Sequence, residues 1–192
     1  VEQVCSKYPA RINKYYISLI KERNSPIYKQ CIPSIEELND NVGEEDPLHE
    51  EPEHSIRQGV PSLLTHRYPD RVLFRVSNQC AMFCRFCTRK RKVGDPLKNP
   101  EWDEIVQAIN YIKEHEEVRD VLLSGGDPFL LDDDYLEKII KEVHSIISAR
   151  SNGIIRIGTR VPCALPQRVT SHLCEMLKKY HPVYVNIHFN HP

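Results

Sequence analysis

From residue 71 onward the chain alternates short β-branched runs with amphipathic stretches, and this alternation constrains the fold more than any other feature. Residues 72–77 (Val-Leu-Phe-Arg-Val-Ser), 119–123, 154–157 and 183–187 predict strands. Between them, residues 102–114 carry Ile105, Ala108, Ile109 and Ile112 on one helical face. Residues 135–147 carry Leu136, Ile139, Ile140 and Val143 on another, and residues 170–180 open on Thr170 as an N-cap. Strand–helix repeated three times and followed by a strand predicts an α/β fold with a parallel sheet and right-handed crossovers. Four strands are few for a closed barrel, and the sequence stops at Pro192 directly behind the last of them. A parallel sheet needs helices over it. The expectation is therefore a partial (β/α) barrel, a fragment of a longer chain that is inactive by itself.

Residues 1–60 read differently. A helix is expected over residues 11–21, where Ile12, Tyr15, Tyr16, Leu19 and Ile20 recur at helical spacing. Ser34 and Glu37 form a capping-box pattern. The acidic run 39–53, broken by Pro47 and Pro52, predicts mostly loop. The expected organisation is an N-terminal helical and loop arm, 1–60, followed by the first part of the barrel, 61–192.

The unusual polar and glycine motifs all follow strands. They are Asn78 to Arg89, Ser124-Gly125-Gly126-Asp127, Gly158-Thr159-Arg160 and His188-Phe189-Asn190-His191. Parallel β/α folds place their active sites at these strand ends, so the convergence predicts an enzyme. Three of the seven cysteines crowd into one of these segments as Cys80-x3-Cys84-x2-Cys87. Thiolates are soft ligands that select zinc or iron–sulfur clusters. Structural zinc wants four ligands, and a fourth from His66 has no support in the spacing. Three thiolates suit a four-iron cluster with one iron left open. The remaining cysteines, Cys5, Cys31, Cys163 and Cys174, are scattered, and the total of seven is odd, which favours a reducing compartment over a disulfide scaffold. The 26 Lys and Arg against 27 Asp and Glu leave a net charge of −1, so no whole-chain basic field for nucleic acid exists. No apolar run is long enough to span a membrane. A zinc-stabilised nucleic-acid module, built on the cysteines and the basic run Arg89-Lys90-Arg91-Lys92, is the rival from another class.

The cysteine motif, with Phe86 before its last member, resembles the radical S-adenosylmethionine superfamily. Several segments are similar to the lysine 2,3-aminomutase family, which includes glutamate 2,3-aminomutase. They are Leu64-Thr65-His66-Arg67-Tyr68-Pro69-Asp70-Arg71, the run from Arg119 to Asp127, Leu165-Pro166-Gln167-Arg168 and His188-Phe189-Asn190-His191-Pro192. The similarity covers about residues 47–192.

The resemblance implies a 4Fe–4S cluster on Cys80, Cys84 and Cys87 whose open iron binds S-adenosylmethionine. It implies cofactor contacts from Gly125, Gly126, Asp127 and His188, and a pyridoxal 5′-phosphate group held through its phosphate by Arg67, Tyr68 and Arg71. Two guanidiniums and a phenol suit a phosphate. Arg89 matches the position that pairs with the substrate carboxylate, Arg160 is expected to line the same mouth, and Lys90, Arg91 and Lys92 are expected to be solvated. No catalytic residue is assigned, since the family's Schiff-base lysine lies beyond Pro192. The implied reaction is an isomerisation that moves an α-amino group to the β-carbon of a small amino acid, L-lysine being the expected substrate and glutamate the alternative. A related enzyme acting in translation-factor modification is a further alternative. Departures at Pro128 and over residues 51–62 bear on the substrate rather than on the chemistry. The resemblance also implies a cytoplasmic, homo-oligomeric enzyme fed by an electron donor such as flavodoxin or ferredoxin, with no membrane and no nucleic-acid partner.

Overall fold

The computed structural model describes residues 1–40, 43–44, 46–51 and 54–191. Three short helices open the chain: α1 (Glu2–Lys7), α2 (Lys14–Ser18) and α3 (Pro26–Cys31). The helix expected over 11–21 is trimmed to α2, because Asn13 caps its first turn by accepting from the Tyr16 backbone N–H at 2.9 Å. The capping box at Ser34 is present, but it opens a single 3₁₀ turn, Ile35–Leu38. Much of the acidic run is loop as expected; its residues 41, 42, 45, 52 and 53 lie outside the described ones.

A five-stranded sheet follows, in chain order across its width. An antiparallel hairpin joins β1 (Leu64–Tyr68) to β2 (Arg71–Ser77). The strand β1 was not expected, because only its first half is buried and no clean alternation marks it. Then come α4 (Trp102–Glu114), β3 (Asp120–Gly125), α5 (Asp133–Ile147), β4 (Ile154–Thr159), the short α6 (Val161–Ala164), α7 (Ser171–Lys178) and β5 (Val183–Ile187). The strands β2 to β5 pair in parallel.

Alternation sorts the side chains of the sheet. Val72, Phe74 and Val76 of β2, Val121 and Leu123 of β3, and Ile155 and Ile157 of β4 are buried in one continuous core. Against them pack Ile105, Ile109 and Ile112 of α4, Leu136, Ile139, Ile140 and Val143 of α5, and Leu173 and Met176 of α7. Each such apolar side chain contributes about 1.5–3 kcal/mol by leaving water. The opposite face carries Arg71, Leu73, Arg75, Leu122, Ser124, Arg156 and Gly158, none fully buried. A parallel sheet covered by helices on one face only is the arc of a β/α barrel, whose other face is the interior. Along β5, Tyr184 and Ile187 are about half exposed, at 54% and 46%.

The N-terminal segment is packed against the loop that follows β2. Tyr16 and Cys31 share a small second core with Ala81, Met82 and Ala164. Asn13 Nδ2 donates to the carbonyls of Ala81 and Ala164, and the Phe83 and Arg85 backbone N–H groups donate to Arg11 and Gln30. Arg85, 7% exposed, grips Glu37 with two bonds of 3.0 and 2.8 Å.

Candidate active site

The ends of β2, β3, β4 and β5 meet in a cavity of about 250 Å³ lined by Cys80, Cys84, Cys87, Arg89, Gly125, Gly126, Asp127, Arg160 and His188, among others. Nearly all the motifs singled out in the sequence are thus brought to one place. All seven cysteines are free thiols. Burial pushes the thiols of Cys80, Cys84 and Cys87 up, most strongly at Cys80. Two of the three sulfurs accept from arginine residues: Cys84 from the Arg160 guanidinium at 2.7 Å, and Cys87 from the Arg89 backbone N–H at 3.3 Å. A guanidinium and a backbone N–H aimed at sulfur suit thiolate ligands carrying negative charge.

Glycine is required at the turn behind β3. Gly125 has φ +125°, and a Cβ there would stand 2.1 Å from the Ser77 carbonyl oxygen. A Cβ on Gly126 would stand 2.3 Å from the Gln79 carbonyl oxygen. The missing side chains let the exit of β3 cross the exit of β2, sealed by the Gly126 and Asp127 N–H groups donating to Ser77 and Gln79. This is how the glycine turn comes to rest against the cysteine loop.

Asp127 is 4% exposed, and its carboxylate is fully engaged by protein donors. One oxygen accepts from Thr159 Oγ1 at 2.7 Å and the Phe129 N–H at 3.1 Å. The other accepts from the N–H groups of Arg160 at 2.7 Å and Val161 at 3.1 Å. Burial pushes this carboxyl up, against four hydrogen bonds that favour its charge. Four bonds fill the acceptor capacity of a carboxylate. Asp127 therefore ties β3 to β4, its carboxylate committed to the protein rather than to a ligand.

Arg89 lies on the cavity wall. Its Nε and Nη2 form a fork–fork pair with Glu50, the Nε bond being 2.6 Å, while Nη1 reaches Ser124 Oγ at 3.2 Å and the Gly125 carbonyl at 3.3 Å. Glu50, 5% exposed, was hidden in the acidic run expected to be loop. No spacing pattern marks it there, and only the fold reveals it as the orienting partner of Arg89. His188 is exposed at the cavity rim, its ring 5.9 Å from Phe86.

One expectation changes. Lys90, Arg91 and Lys92 are not solvated: their side chains are only 23%, 22% and 17% exposed and pair with Glu37, Asp46 and Glu51. The acidic run and the basic run neutralise each other. His66 cannot serve the cysteines, since it is fully buried on β1 with Nδ1 2.8 Å from the Tyr111 hydroxyl. Among the described residues, no three His, Cys, Asp or Glu side chains are grouped to hold one metal ion.

Arg67, Tyr68 and Arg71 are not in this cavity. They sit on the turn between β1 and β2, at the other end of the strand, and the seven residues of β2 put about 20 Å between its ends. Tyr68 stands opposite Arg71 in the hairpin register, with the guanidinium 5.5 Å from the ring centre. Arg71 pairs with Asp70 at 3.0 Å, and Arg67 donates to the Leu48 carbonyl at 2.6 Å. Arg71 shares the helix-free face of the sheet with Ser124, so both ends border the same interior.

The acid–base pairs of the N-terminal segment set a pH limit. Burial pushes the Glu37 carboxyl up, but Arg85 and Lys90 outweigh it and hold it below its usual 4.5, and Lys92 and Arg91 do the same for Glu51. The stabilisation is complete above the unfolded value and is lost as pH falls through the lower folded one. Melting temperature should therefore fall below about pH 4.5, and less steeply in Glu37→Gln, as thermal scans across pH would register.

The Radical SAM superfamily profile matches residues 74–192, more than half of the chain. The chain belongs to the radical SAM superfamily. Within it, the chain is 50% identical over 196 residues to L-lysine 2,3-aminomutase of Methanococcus maripaludis, covering all of this chain and 43% of that protein. It is 49% identical over 185 residues to L-lysine 2,3-aminomutase of Bacillus subtilis, covering 95% of this chain and 38% of that protein. It is also 42% identical over 194 residues to glutamate 2,3-aminomutase of Clostridioides difficile, covering all of this chain and 44% of that protein. The chain thus spans less than half the length of these relatives. No described helix is long and apolar enough to cross a membrane.

Proposed function

We propose that the protein carrying this chain is a radical amino-acid 2,3-aminomutase acting on L-lysine. The observation that carries this reading is the meeting of Cys80, Cys84 and Cys87 with the Gly125–Asp127 turn and Arg89 in one cavity at the strand ends. Identity of 49–50% to proteins named L-lysine 2,3-aminomutase, against 42% to a glutamate 2,3-aminomutase, supports the substrate. Cys80, Cys84 and Cys87 would hold a 4Fe–4S cluster, the backbone of Gly125 to Asp127 and His188 would bind S-adenosylmethionine, and Arg67, Tyr68 and Arg71 would bind the phosphate of pyridoxal 5′-phosphate. When bound, these groups supply a carbon radical and a π-system through which the amino nitrogen migrates.

The residues of this chain bind and orient. Glu50 fixes the Nε–Nη2 edge of the Arg89 guanidinium, and a substrate carboxylate would take over the Nη1 donors now held by Ser124 and the Gly125 carbonyl. The Gly-Gly turn brings the bound cofactor's contacts against the cysteine loop, and the N-terminal helices close the loop from behind. A low-potential one-electron donor such as flavodoxin or ferredoxin, a homo-oligomeric state and a cytoplasmic location belong to the same proposal.

The phosphate assignment has its own test. In the full-length protein, Arg71→Ala should weaken pyridoxal phosphate binding at least about tenfold, as loss of a charge-assisted bond predicts. Lys98→Ala, at a side chain 74% exposed, should leave it unchanged. Cofactor titration by absorbance reads both, and equal affinities would remove Arg67, Tyr68 and Arg71 from the cofactor site.

A further inference from the structure

Arg160 follows β4 directly, at the N-cap of α6, and is 9% exposed. Its Nη1 donates to Cys84 Sγ at 2.7 Å, and its Nη2 donates to the Tyr16 hydroxyl at 3.2 Å and to Gln30 Oε1. Its Nε is buried without a partner. The rings of Phe86 and Tyr16 flank it at 5.2 and 5.7 Å. Asp127 engages only the Arg160 backbone, and among the described residues no carboxylate pairs with the guanidinium. A guanidinium stays charged at any pH a protein survives, and a buried charge is retained only where an opposite one compensates it. The Asp127 carboxylate beside it is committed to backbone donors and Thr159. The remaining candidate for the counter-charge is the sulfur it already touches.

We propose that Arg160 is the counter-ion of the cluster at Cys84, a positioning residue that donates N–H to the ligand sulfur and raises the reduction potential of the iron. This rests on reading Cys80, Cys84 and Cys87 as cluster ligands. Hydrogen bonds to the sulfurs and local net charge set such potentials, and a buried cation that donates directly to a ligating sulfur acts through both. Adding an electron makes the cluster more negative, so a fixed positive charge at van der Waals range favours the reduced state. Tyr16 and Gln30 lie on the N-terminal helices, so that segment sets the distance between the charge and the cluster.

The test is the midpoint potential of the cluster in anaerobically reconstituted full-length protein, followed by electron paramagnetic resonance, with iron content measured in each variant. Arg160→Gln should keep its iron and become harder to reduce by at least about tenfold in the reduction equilibrium, about 59 mV for one electron. Arg160→Lys keeps a charge but gives up the directed fork, and should fall between Arg160→Gln and the unsubstituted protein. It carries the test where Arg160→Gln does not hold iron. Lys178→Gln, far out on α7 with a side chain 63% exposed, should not move the potential. An unshifted potential in an iron-replete Arg160 variant would reduce Arg160 to a strut between the N-terminal helices and β4. Failure of the unsubstituted protein to form any cluster would instead overturn the ligand reading beneath it.

Discussion

Alanine at any one of Cys80, Cys84 or Cys87 should abolish cluster assembly. The unsubstituted full-length protein, reconstituted anaerobically, should carry about four irons and four sulfides per chain, as three-thiolate ligation of a cubane requires. The cavity gives the reason for an all-or-none effect. The three sulfurs come from one loop that the N-terminal helices clamp in place, and no other cysteine lines that cavity to substitute for a lost ligand. Alanine at Cys5, Cys163 or Cys174 should leave iron content intact, because none of these lines the cavity. Iron and sulfide analysis with the visible spectrum reads the outcome. Stoichiometric zinc in anaerobically purified protein, with no cluster formed, would reverse the assignment.

Asp127→Ala should be the most destabilising change at the site. It strips one hydrogen-bond partner from three buried backbone N–H groups and the Thr159 hydroxyl at once. Removing one side of a buried, charge-assisted network costs about 3–5 kcal/mol, enough to consume much of a domain's stability. Asp127→Asn keeps the shape but turns an amide donor toward backbone donors, so it should recover only part of the loss. Denaturant unfolding of the full-length protein measures both. The same variants should also weaken S-adenosylmethionine binding, since the turn they loosen lines the cavity proposed to hold it. A stable Asp127→Ala protein would show that the link between β3 and β4 is redundant.

The parts of the fold that sequence reveals are those written by hydrophobic period. The helix α4 and the strand β5 fall at their expected bounds, because a single apolar face or run defines each. The strand β1 was invisible for the opposite reason: Arg67 and Tyr68 are exposed, and Leu64, Thr65 and His66 are buried in succession without alternation. At α3 a local signal was passed over. Ser25 and Pro26 are an N-cap and first-turn pair that announces α3, although six residues are too few to show a face.

At the site, residues adjacent in sequence were legible and partnerships across the fold were not. The cysteine spacing and the Gly-Gly-Asp turn can be read from one segment each. Glu50 reaches Arg89 across 39 positions and Tyr16 reaches Arg160 across 144, and no local pattern carries that information. The basic run was misjudged in the same way. Its charges looked solvated because their partners lie 40 to 53 positions away, Asp46 and Glu51 in a stretch whose composition signals only loop and Glu37 in the capping box before it.

The central claim is that this cavity starts a radical migration of an amino group. The direct measurement incubates the reconstituted full-length protein anaerobically with S-adenosylmethionine, pyridoxal 5′-phosphate, a strong one-electron reductant and L-lysine, with L-glutamate in parallel. The account predicts β-lysine by nuclear magnetic resonance, together with loss of the signal when Cys84 is alanine. Reductive cleavage of S-adenosylmethionine to 5′-deoxyadenosine with no β-amino product from either amino acid would contradict it, and a product from glutamate alone would overturn the choice of lysine.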